Sequence, residues 1–337
     1  MKRRFALIGI LLTALASTSA PARSVLKLAT LVPDGSVWHE SLMEMGATWK
    51  ADTGGSGNLR VYAGGVAGDE PDMLRKMRTG QLQAATLTVS GLTKLDGAFG
   101  VFTMPLFYDS YEELWHVADT LEPTLRERLD ERGYVLLNWG LGGWIHIFSK
   151  KPIHRVEDLR GVKMFASAGD DDWVQLWKNR GYSPVPLAMT DIQTGLQTGL
   201  IDGIPTTPLA SLSLQWFRHV PHMYETGLAP LIGATIVTKV AWKRMSETER
   251  DALVKAARTL EGRLRREVPE QDAQAIEEMK KRGLEVTSAS GDPSAEAAWN
   301  RESQALSDYM RAKMVPAEIF DAAVRARDAY RKEHAAP

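Results

Sequence analysis

Two acidic residues beside a glycine-rich turn are the first group in this chain suited to recognition chemistry. Asp69 and Glu70 directly follow residues 64–68, which contain three glycines. Carboxylate oxygens accept hydrogen bonds, so we expect both side chains to accept from a hydroxyl or amine of a ligand. Ser90 stands directly after an apolar segment further along the chain and is a candidate ligand contact as well.

A second acidic run at residues 170–172 allows two interpretations. Its oxygens could bind a hard cation, or its charges could stabilise the N-terminus of a helix through the helix dipole. We favour the helix terminus and expect Asp170 to face a ligand.

His219 and His222 form a weak metal signal, because two ligands are too few and Pro221 disfavours a helix that would align them. We predict no metal and no cofactor.

Aromatic residues form a third group of candidates, because the chain contains 10 Trp. Most tryptophans in globular proteins belong to the core. Some aromatic side chains here lie at or beside the ends of predicted strands, where open α/β sheets bind their ligands. This predicts further ligand contacts at Trp38, Trp139, Trp144 and Phe165.

Signatures of catalysis are missing from the sequence. It contains no Gly-x-Ser-x-Gly elbow, no Walker loop, no His-Glu-x-x-His and no Gly-x-Gly-x-x-Gly opening a helix. With Cys 0, thiol catalysis, disulfides and a cysteine-linked lipid anchor are excluded. We predict that the chain is not an enzyme. An exported enzyme on the same kind of scaffold remains an alternative, because a fold does not determine a function.

The N-terminus has the pattern of a secretory signal. Three basic residues precede an apolar stretch at 5–16, which is shorter than the roughly 20 residues of a membrane span. Ala20-Pro21-Ala22 predicts cleavage after Ala22, so residues 1–22 are expected to be a signal peptide and the protein periplasmic. An uncleaved membrane anchor is the alternative. A formal net charge of −1 gives no electrostatic reason to bind nucleic acid.

The elements that must position these residues alternate between strand and helix. Strands are predicted at 25–31, 59–63, 84–89, 135–139, 145–149, 162–165, 201–206 and 234–238. Ser36 is expected to cap the first helix, and Ser246 with Glu249 forms a capping box before a longer one. Pro269 should kink or restart that longer helix, and two C-terminal helices follow. This rhythm predicts an open α/β sheet, and 337 residues favour two domains over one.

Several short motifs in the chain resemble those of one transport family. They stand at residues 60–70, 77–82, 104–107, 152–165 and 194–203. In this order and spacing they resemble the solute-binding receptors of TRAP transporters (tripartite ATP-independent periplasmic transporters), the DctP-type family.

The resemblance implies a periplasmic-binding-protein-like α/β fold of two lobes. Strands would cross between the lobes, a long helix would brace both, and hinge closure would capture a small organic solute. The first lobe would comprise residues 23–143 plus 230–269, and the second 144–229 plus 270–337. The loaded receptor would deliver its solute to small and large membrane subunits. A sensory protein that presents a solute to a membrane kinase is the alternative.

The chain departs from the family where the family binds carboxylates. Phe165 stands where the motif usually has an Arg, and residues 143–147 lack a second usual Arg. The family's Asn after the Asp-Gly pair is replaced by a segment containing Thr206 and Thr207, whose hydroxyls can donate and accept hydrogen bonds. The comparison with the family motif thus adds His146, Thr206 and Thr207 to the expected ligand contacts. Phe165 offers a flat apolar surface instead of a bidentate cation. We therefore predict a ligand more apolar or less anionic than a small carboxylate, unless His146, Lys163 or Arg180 supplies the cation.

Overall fold

The computed structural model describes residues 24–289 and 291–335. The predicted signal peptide at 1–22 lies outside the described residues. Within the described ranges, no helix has both the length and the apolar character needed to cross a membrane.

The first part of the chain alternates strands and helices, as the sequence predicts. In chain order the elements are β1 (Ser24–Thr30), α1 (Val37–Asp52), β2 (Gly57–Tyr62), α2 (Glu70–Arg78), β3 (Ala84–Thr88), α3 (Val89–Thr93), α4 (Tyr111–Glu131) and β4 (Tyr134–Ser149). A 3-10 helix, Gly97–Thr103, lies between α3 and α4. Ser36 caps α1 as predicted, because its side chain accepts from the backbone N of His39.

The second part adds short strands and then long helices. These are β5 (Lys163–Ser167), α5 (Asp171–Asn179), β6 (Ser183–Leu187), α6 (Ile192–Thr198), β7 (Gly203–Thr206), α7 (Pro208–Ser213), β8 (His222–Tyr224), β9 (Ala229–Thr238), α8 (Lys239–Arg244), α9 (Glu247–Lys280), β10 (Glu285–Thr287), α10 (Pro293–Lys313) and α11 (Ala317–Glu333).

The sheet has the order β2-β1-β3-β9-β4-β7-β5-β6; off this path, β8 pairs with β4, and β10 pairs with β8. The long strand β4 pairs antiparallel with β9 over residues 134–145 and with β7 over residues 146–149. We call the part built on β1, β2, β3, β9 and the start of β4 the first lobe. The second lobe is built on β5 to β8, β10 and the end of β4. The strands β4 and β9 are the crossing strands between them.

β4 differs from its sequence prediction, which divides it into two strands at 135–139 and 145–149. Glycines at positions 140, 142 and 143 interrupt the apolar pattern that marks a strand. In the structure the pairing with β9 continues through them, with register shifts between Leu136 and Asn138 and between Leu141 and Gly143. Bulges of this kind bend a strand without ending it.

The helix α9 braces both lobes. Its 34 residues span about 50 Å. The predicted capping box is confirmed: the backbone N of Ser246 donates to Glu249 Oε2 at 2.9 Å, and the backbone N of Glu249 donates to Ser246 Oγ at 3.2 Å. Leu253 belongs to the core of the first lobe and Met279 to that of the second.

The predicted restart of this helix at Pro269 is wrong, because α9 continues through it. Proline removes one helical hydrogen bond. Here Val268 and Asp272 are buried on either side of it, and this packing holds the helix in place.

The last helix also departs from the predicted lobe boundaries, which assign residues 270–337 to the second lobe. α11 packs on α4, and Ile319, Phe320 and Ala323 join the core of the first lobe. Arg331 of α11 also donates to Glu113 Oε1 at 2.9 Å. An apolar helix face is visible in a sequence, but the lobe that it packs against is not.

Asp272 connects α9 to both lobes at the point where β4 crosses. Its Oδ2 accepts from the backbone N of Trp144 at 3.0 Å, and its Oδ1 from that of Leu209 at 2.9 Å. Gly143 has φ +112°, and a Cβ there would lie 2.6 Å from Asp272 Oδ2. This position therefore requires glycine for its conformation and for the close approach of the carboxylate.

We expect Gly143→Ala to lower the free energy of unfolding by about 2 kcal/mol or more, because it adds both backbone strain and a steric clash. Denaturant titration of the purified protein measures this change. Gly161→Ala is the matched control, since a Cβ at Gly161 meets nothing within 4 Å. Equal unfolding midpoints for the two variants would contradict the role assigned to Gly143.

Candidate functional site

A cavity of about 160 Å³ lies between the two lobes. The crossing strands form its floor, through Asn138, Gly140, Leu141 and Gly142 of β4 and Leu231, Ile232, Gly233 and Thr235 of β9. Residues of the first lobe form one wall: Thr30, Leu31, Val32, Pro33, Trp38, Leu42, Glu70, Thr86, Leu87 and Thr88. The opposite wall comprises Met189, Thr206, Ala210, Leu214 and Trp216, and α9 adds Leu260 and Leu264. The ends of β1 and β3 thus meet the cavity, as expected for an open α/β sheet.

Three of the predicted contacts, Trp38, Glu70 and Thr206, lie on the wall of this cavity. The indole Nε1 of Trp38 donates to the carbonyl of Leu141 at 2.8 Å, which holds the ring against the crossing strand. Thr206 ends β7 on the side of the second lobe. The cavity is therefore lined from both lobes, and closing the lobes encloses its contents.

Glu70 is a buried carboxyl, only 3% exposed. Its Oε1 accepts from the backbone N of Thr88 at 2.5 Å, and its Oε2 accepts from the Thr88 hydroxyl at 2.9 Å. Burial raises the pKa of Glu70 to about 7, and the negative charges of Asp69 and Asp170 add to this, whereas the Thr88 hydrogen bonds oppose it. Both protonation states are therefore accessible near neutral pH.

No Arg, Lys or His lines the cavity within the described part of the chain. Glu70 is the one ionisable side chain on its described walls. The three cations considered as replacements lie elsewhere. Lys163 pairs with Asp202, and Arg180 pairs with Glu302. Among residues 24–289 and 291–335, no group of three or more His, Cys, Asp or Glu side chains is placed to hold a metal ion.

Asp69, Ser90 and Asp170 do not line the cavity but join the two lobes beside it. Asp69 Oδ2 accepts from the backbone N of Met189 at 3.0 Å. Ser90 Oγ donates to Asp170 Oδ2 at 2.8 Å, and the ammonium group of Lys94 pairs with Asp170. These side chains form hydrogen bonds between the lobes, Asp69 with Met189 and Ser90 with Asp170, and therefore do not point into the cavity.

Three further predicted contacts belong to the protein interior. The Trp139 ring is fully buried 5.4 Å from that of Phe102, and its Nε1 donates to Glu122 Oε2 at 2.7 Å. Phe165, 6% exposed, belongs to the apolar core of the second lobe. Thr207 is fully buried and caps α7. Trp139 lies within β4 and Phe165 within β5, not at their ends, and both rings point to the face of the strand that is packed in a core.

Trp144 and His146 lie at a second, more open cavity of about 690 Å³, together with Tyr108 and Tyr224. The Trp144 ring packs edge-on against Tyr111 at 5.2 Å. His146 Nδ1 lies 3.0 Å from the carbonyl oxygen of Tyr224, and burial lowers the pKa of His146. The bulge before Gly143 redirects β4, so residues beyond it leave the floor of the cavity between the lobes.

The analysis of the sequence missed several polar residues of the cavity. Asn138 is 1% exposed, and its Nδ2 donates to the Trp139 carbonyl at 2.8 Å. Its Oδ1 has no hydrogen-bond partner among the residues that the structure describes. The hydroxyls of Thr86 and Thr235 lie 3.0 Å apart. The sequence did contain a signal for Asn138, which is a polar residue inside an otherwise apolar strand. A buried polar group needs a hydrogen-bond partner, so such a position marks a possible ligand contact.

Comparison with known proteins identifies the family of this chain. The sequence model of "Bacterial extracellular solute-binding protein, family 7" (DctP) matches residues 28–313. The chain belongs to this family. It is therefore a TRAP solute-binding receptor and not an enzyme. A solute-binding protein of Chromohalobacter salexigens is 25% identical over 254 residues, 75% of this chain and 75% of that protein.

Solved structures show the same two-lobed fold. A Bordetella pertussis extracytoplasmic solute receptor described as binding pyroglutamic acid has a TM-score of 0.82 at 20% identity. A TRAP periplasmic solute-binding protein of Chromohalobacter salexigens with bound D-glucuronate has the same TM-score and identity. Each match covers 90% of this receptor and 99% of the solved chain.

The protonation of Glu70 should be visible in the stability of the receptor. A carboxyl whose pKa rises on folding stabilises the fold fully below its unfolded pKa, and that contribution is lost as the pH rises through the folded pKa. Because the pKa of Glu70 rises from the ordinary 4.5 to about 7, the wild type should lose about 3 kcal/mol of its free energy of unfolding over this pH range. We expect Glu70→Gln to remove this part of the decline between pH 4.5 and 8.

Denaturant unfolding of wild type and variant across this pH range measures the difference. Glu127→Gln is the control, because Glu127 is an exposed carboxyl on α4. Wild type and Glu70→Gln curves that stay parallel from pH 4.5 to 8 would show that Glu70 does not titrate there.

Proposed function

We propose that this TRAP receptor captures a small, largely apolar solute that is less anionic than the acids named for its structural neighbours. The observation that carries this proposal is the charge of the cavity. Its described walls include no Arg, Lys or His, and they do include the Glu70 carboxyl. Phe165, at the position where the family motif has Arg, belongs to the apolar core of the second lobe.

Electrostatics disfavours a carboxylate in such a cavity. An anion that leaves water for a buried site needs a cation or several hydrogen-bond donors to offset its desolvation. Arginine supplies both in a bidentate geometry that apolar side chains cannot replace. Here a carboxylate would meet apolar side chains and the partial negative charge of Glu70.

The shape and the polar groups of the cavity favour a compact solute with at least one hydrogen-bond donor. A cavity of ~150 Å³ holds a molecule about the size of benzene, close to the volume found here. Trp38, Leu214 and Trp216 provide apolar contact. The Asn138 Oδ1, which has no hydrogen-bond partner in the described part of the chain, would accept from the solute.

Capture would follow from closure of the two lobes over the solute, with residues 24–143 plus 230–269 moving against 144–229 plus 270–289 and 291–313. The contacts of Asp69 with Met189 and of Ser90 with Asp170 would then stabilise the closed form. We further propose that the receptor is periplasmic and presents the closed form to the small and large membrane subunits of its transporter.

A matched pair of compounds tests the charge preference. 2-Pyrrolidinone is pyroglutamate without its carboxylate, so the pair isolates the effect of the negative charge. We expect the neutral lactam to bind at least tenfold more tightly in calorimetric titrations at pH 7.5. Tighter binding of pyroglutamate would contradict the proposal, since it would require a cation that the cavity does not show.

The Asn138 carbonyl oxygen should accept the lactam N–H. We expect Asn138→Leu to weaken 2-pyrrolidinone binding by up to about tenfold, the value of one hydrogen bond. Asn179→Leu is the control, because Asn179 is exposed on α5. Unchanged affinity in Asn138→Leu would mean that the solute makes no use of this acceptor.

A further inference from the structure

The carboxyl of Glu70 lacks a positively charged partner in the protein. It is 3% exposed, and no ion pair among residues 24–289 and 291–335 includes it. Its two recorded hydrogen bonds both come from Thr88, one to each oxygen. A carboxylate accepts about four hydrogen bonds, so about two acceptor positions remain for a molecule in the cavity.

The charged groups around Glu70 do not neutralise it. Asp69 precedes it and accepts from the backbone N of Glu70 at 2.9 Å. Asp170 approaches from the second lobe, and its negative charge is paired with the ammonium group of Lys94. Lys94 also lines a small crevice beside Glu70, but it donates to Asp170 and to the carbonyl of Gly169. The closed site therefore keeps a net negative charge when Glu70 is ionised.

We propose that the solute carries a protonated amine, which donates hydrogen bonds to the Glu70 carboxylate inside the closed cavity. This inference rests on the proposed function, because it narrows the class of solute for the same site. A buried carboxylate without a cation is costly, and an ammonium group supplies both the charge and the hydrogen-bond donors. The apolar walls fit the hydrocarbon part of such a solute.

Three probes that share one ring separate the possibilities. Pyrrolidine is cationic at neutral pH, 2-pyrrolidinone is neutral and pyroglutamate is anionic. In calorimetric titrations at pH 8 we expect pyrrolidinium to bind at least tenfold more tightly than 2-pyrrolidinone. If pyroglutamate binds most tightly, this inference and the proposed function both fail. If 2-pyrrolidinone binds more tightly than pyroglutamate but at least as tightly as pyrrolidinium, only this inference fails.

Two variants locate the effect at Glu70. We expect Glu70→Gln to weaken pyrrolidinium binding at least tenfold more than it changes 2-pyrrolidinone binding, and a cooperative unfolding transition in denaturant shows that the variant is folded. The control is Glu127→Gln, an exposed carboxyl whose removal should change neither affinity. Pyrrolidinium binding that is the same in wild type and Glu70→Gln would mean that Glu70 has a structural role only, and would overturn the inference.

The pH dependence of binding to the wild type provides a test without any variant. Pyrrolidinium stays protonated from pH 6 to 8, whereas Glu70, whose pKa burial raises to about 7, loses its proton in this range. We expect the affinity for pyrrolidinium to rise about tenfold between pH 6 and 8, while that for 2-pyrrolidinone stays constant. A flat pyrrolidinium profile would overturn the inference.

Discussion

The antiparallel pairing of β4 with β9 is the interaction on which the rest of the structure depends. The ladder runs from Tyr134 to Ile145 on β4, and the same strand then continues into the second lobe. It connects the lobes, and its middle section forms the floor of the cavity between them. Asp272 of α9 binds the backbone of β4 directly beyond this floor. One pair of strands thus forms both the floor of the cavity and the connection between the lobes.

The polarity and charge of the cavity depend on the side chains that its walls add to this floor. The floor contributes glycines, aliphatic side chains and the Asn138 amide, and the walls add threonine hydroxyls and one carboxyl. Glu70 is tied to β3 through Thr88, so it is held in place before any solute arrives. Polar contacts between the lobes, through Asp69 and Asp170, lie beside the cavity. The result is a largely apolar cavity whose single carboxyl is already buried in the structure.

The alternation of strands and helices and the caps at Ser36 and Ser246 could be predicted because they depend on local patterns. The family and its two-lobed fold were predicted from the resemblance of several short motifs to those of TRAP receptors. The cavity was harder to predict, since it depends on which face each strand residue takes. Trp139 and Phe165 end their predicted strands, but in the structure they lie within β4 and β5 and face the cores. Trp144 lies beyond a register shift in β4 that the sequence does not mark. Asn138 reaches the cavity from the middle of a strand whose apolar neighbours suggested only core. The packing of α11 on the first lobe depends on contacts far apart in the chain.

The measurement that tests the central claim most directly is mass spectrometry of the solute that copurifies with the gently isolated receptor. The charge of the cavity predicts a compact molecule without a free carboxylate, recovered at close to one per receptor and lost when the protein is unfolded and refolded. Its return to the refolded protein would restore the melting temperature. Recovery of a sugar acid or another small carboxylate in that amount would contradict the account.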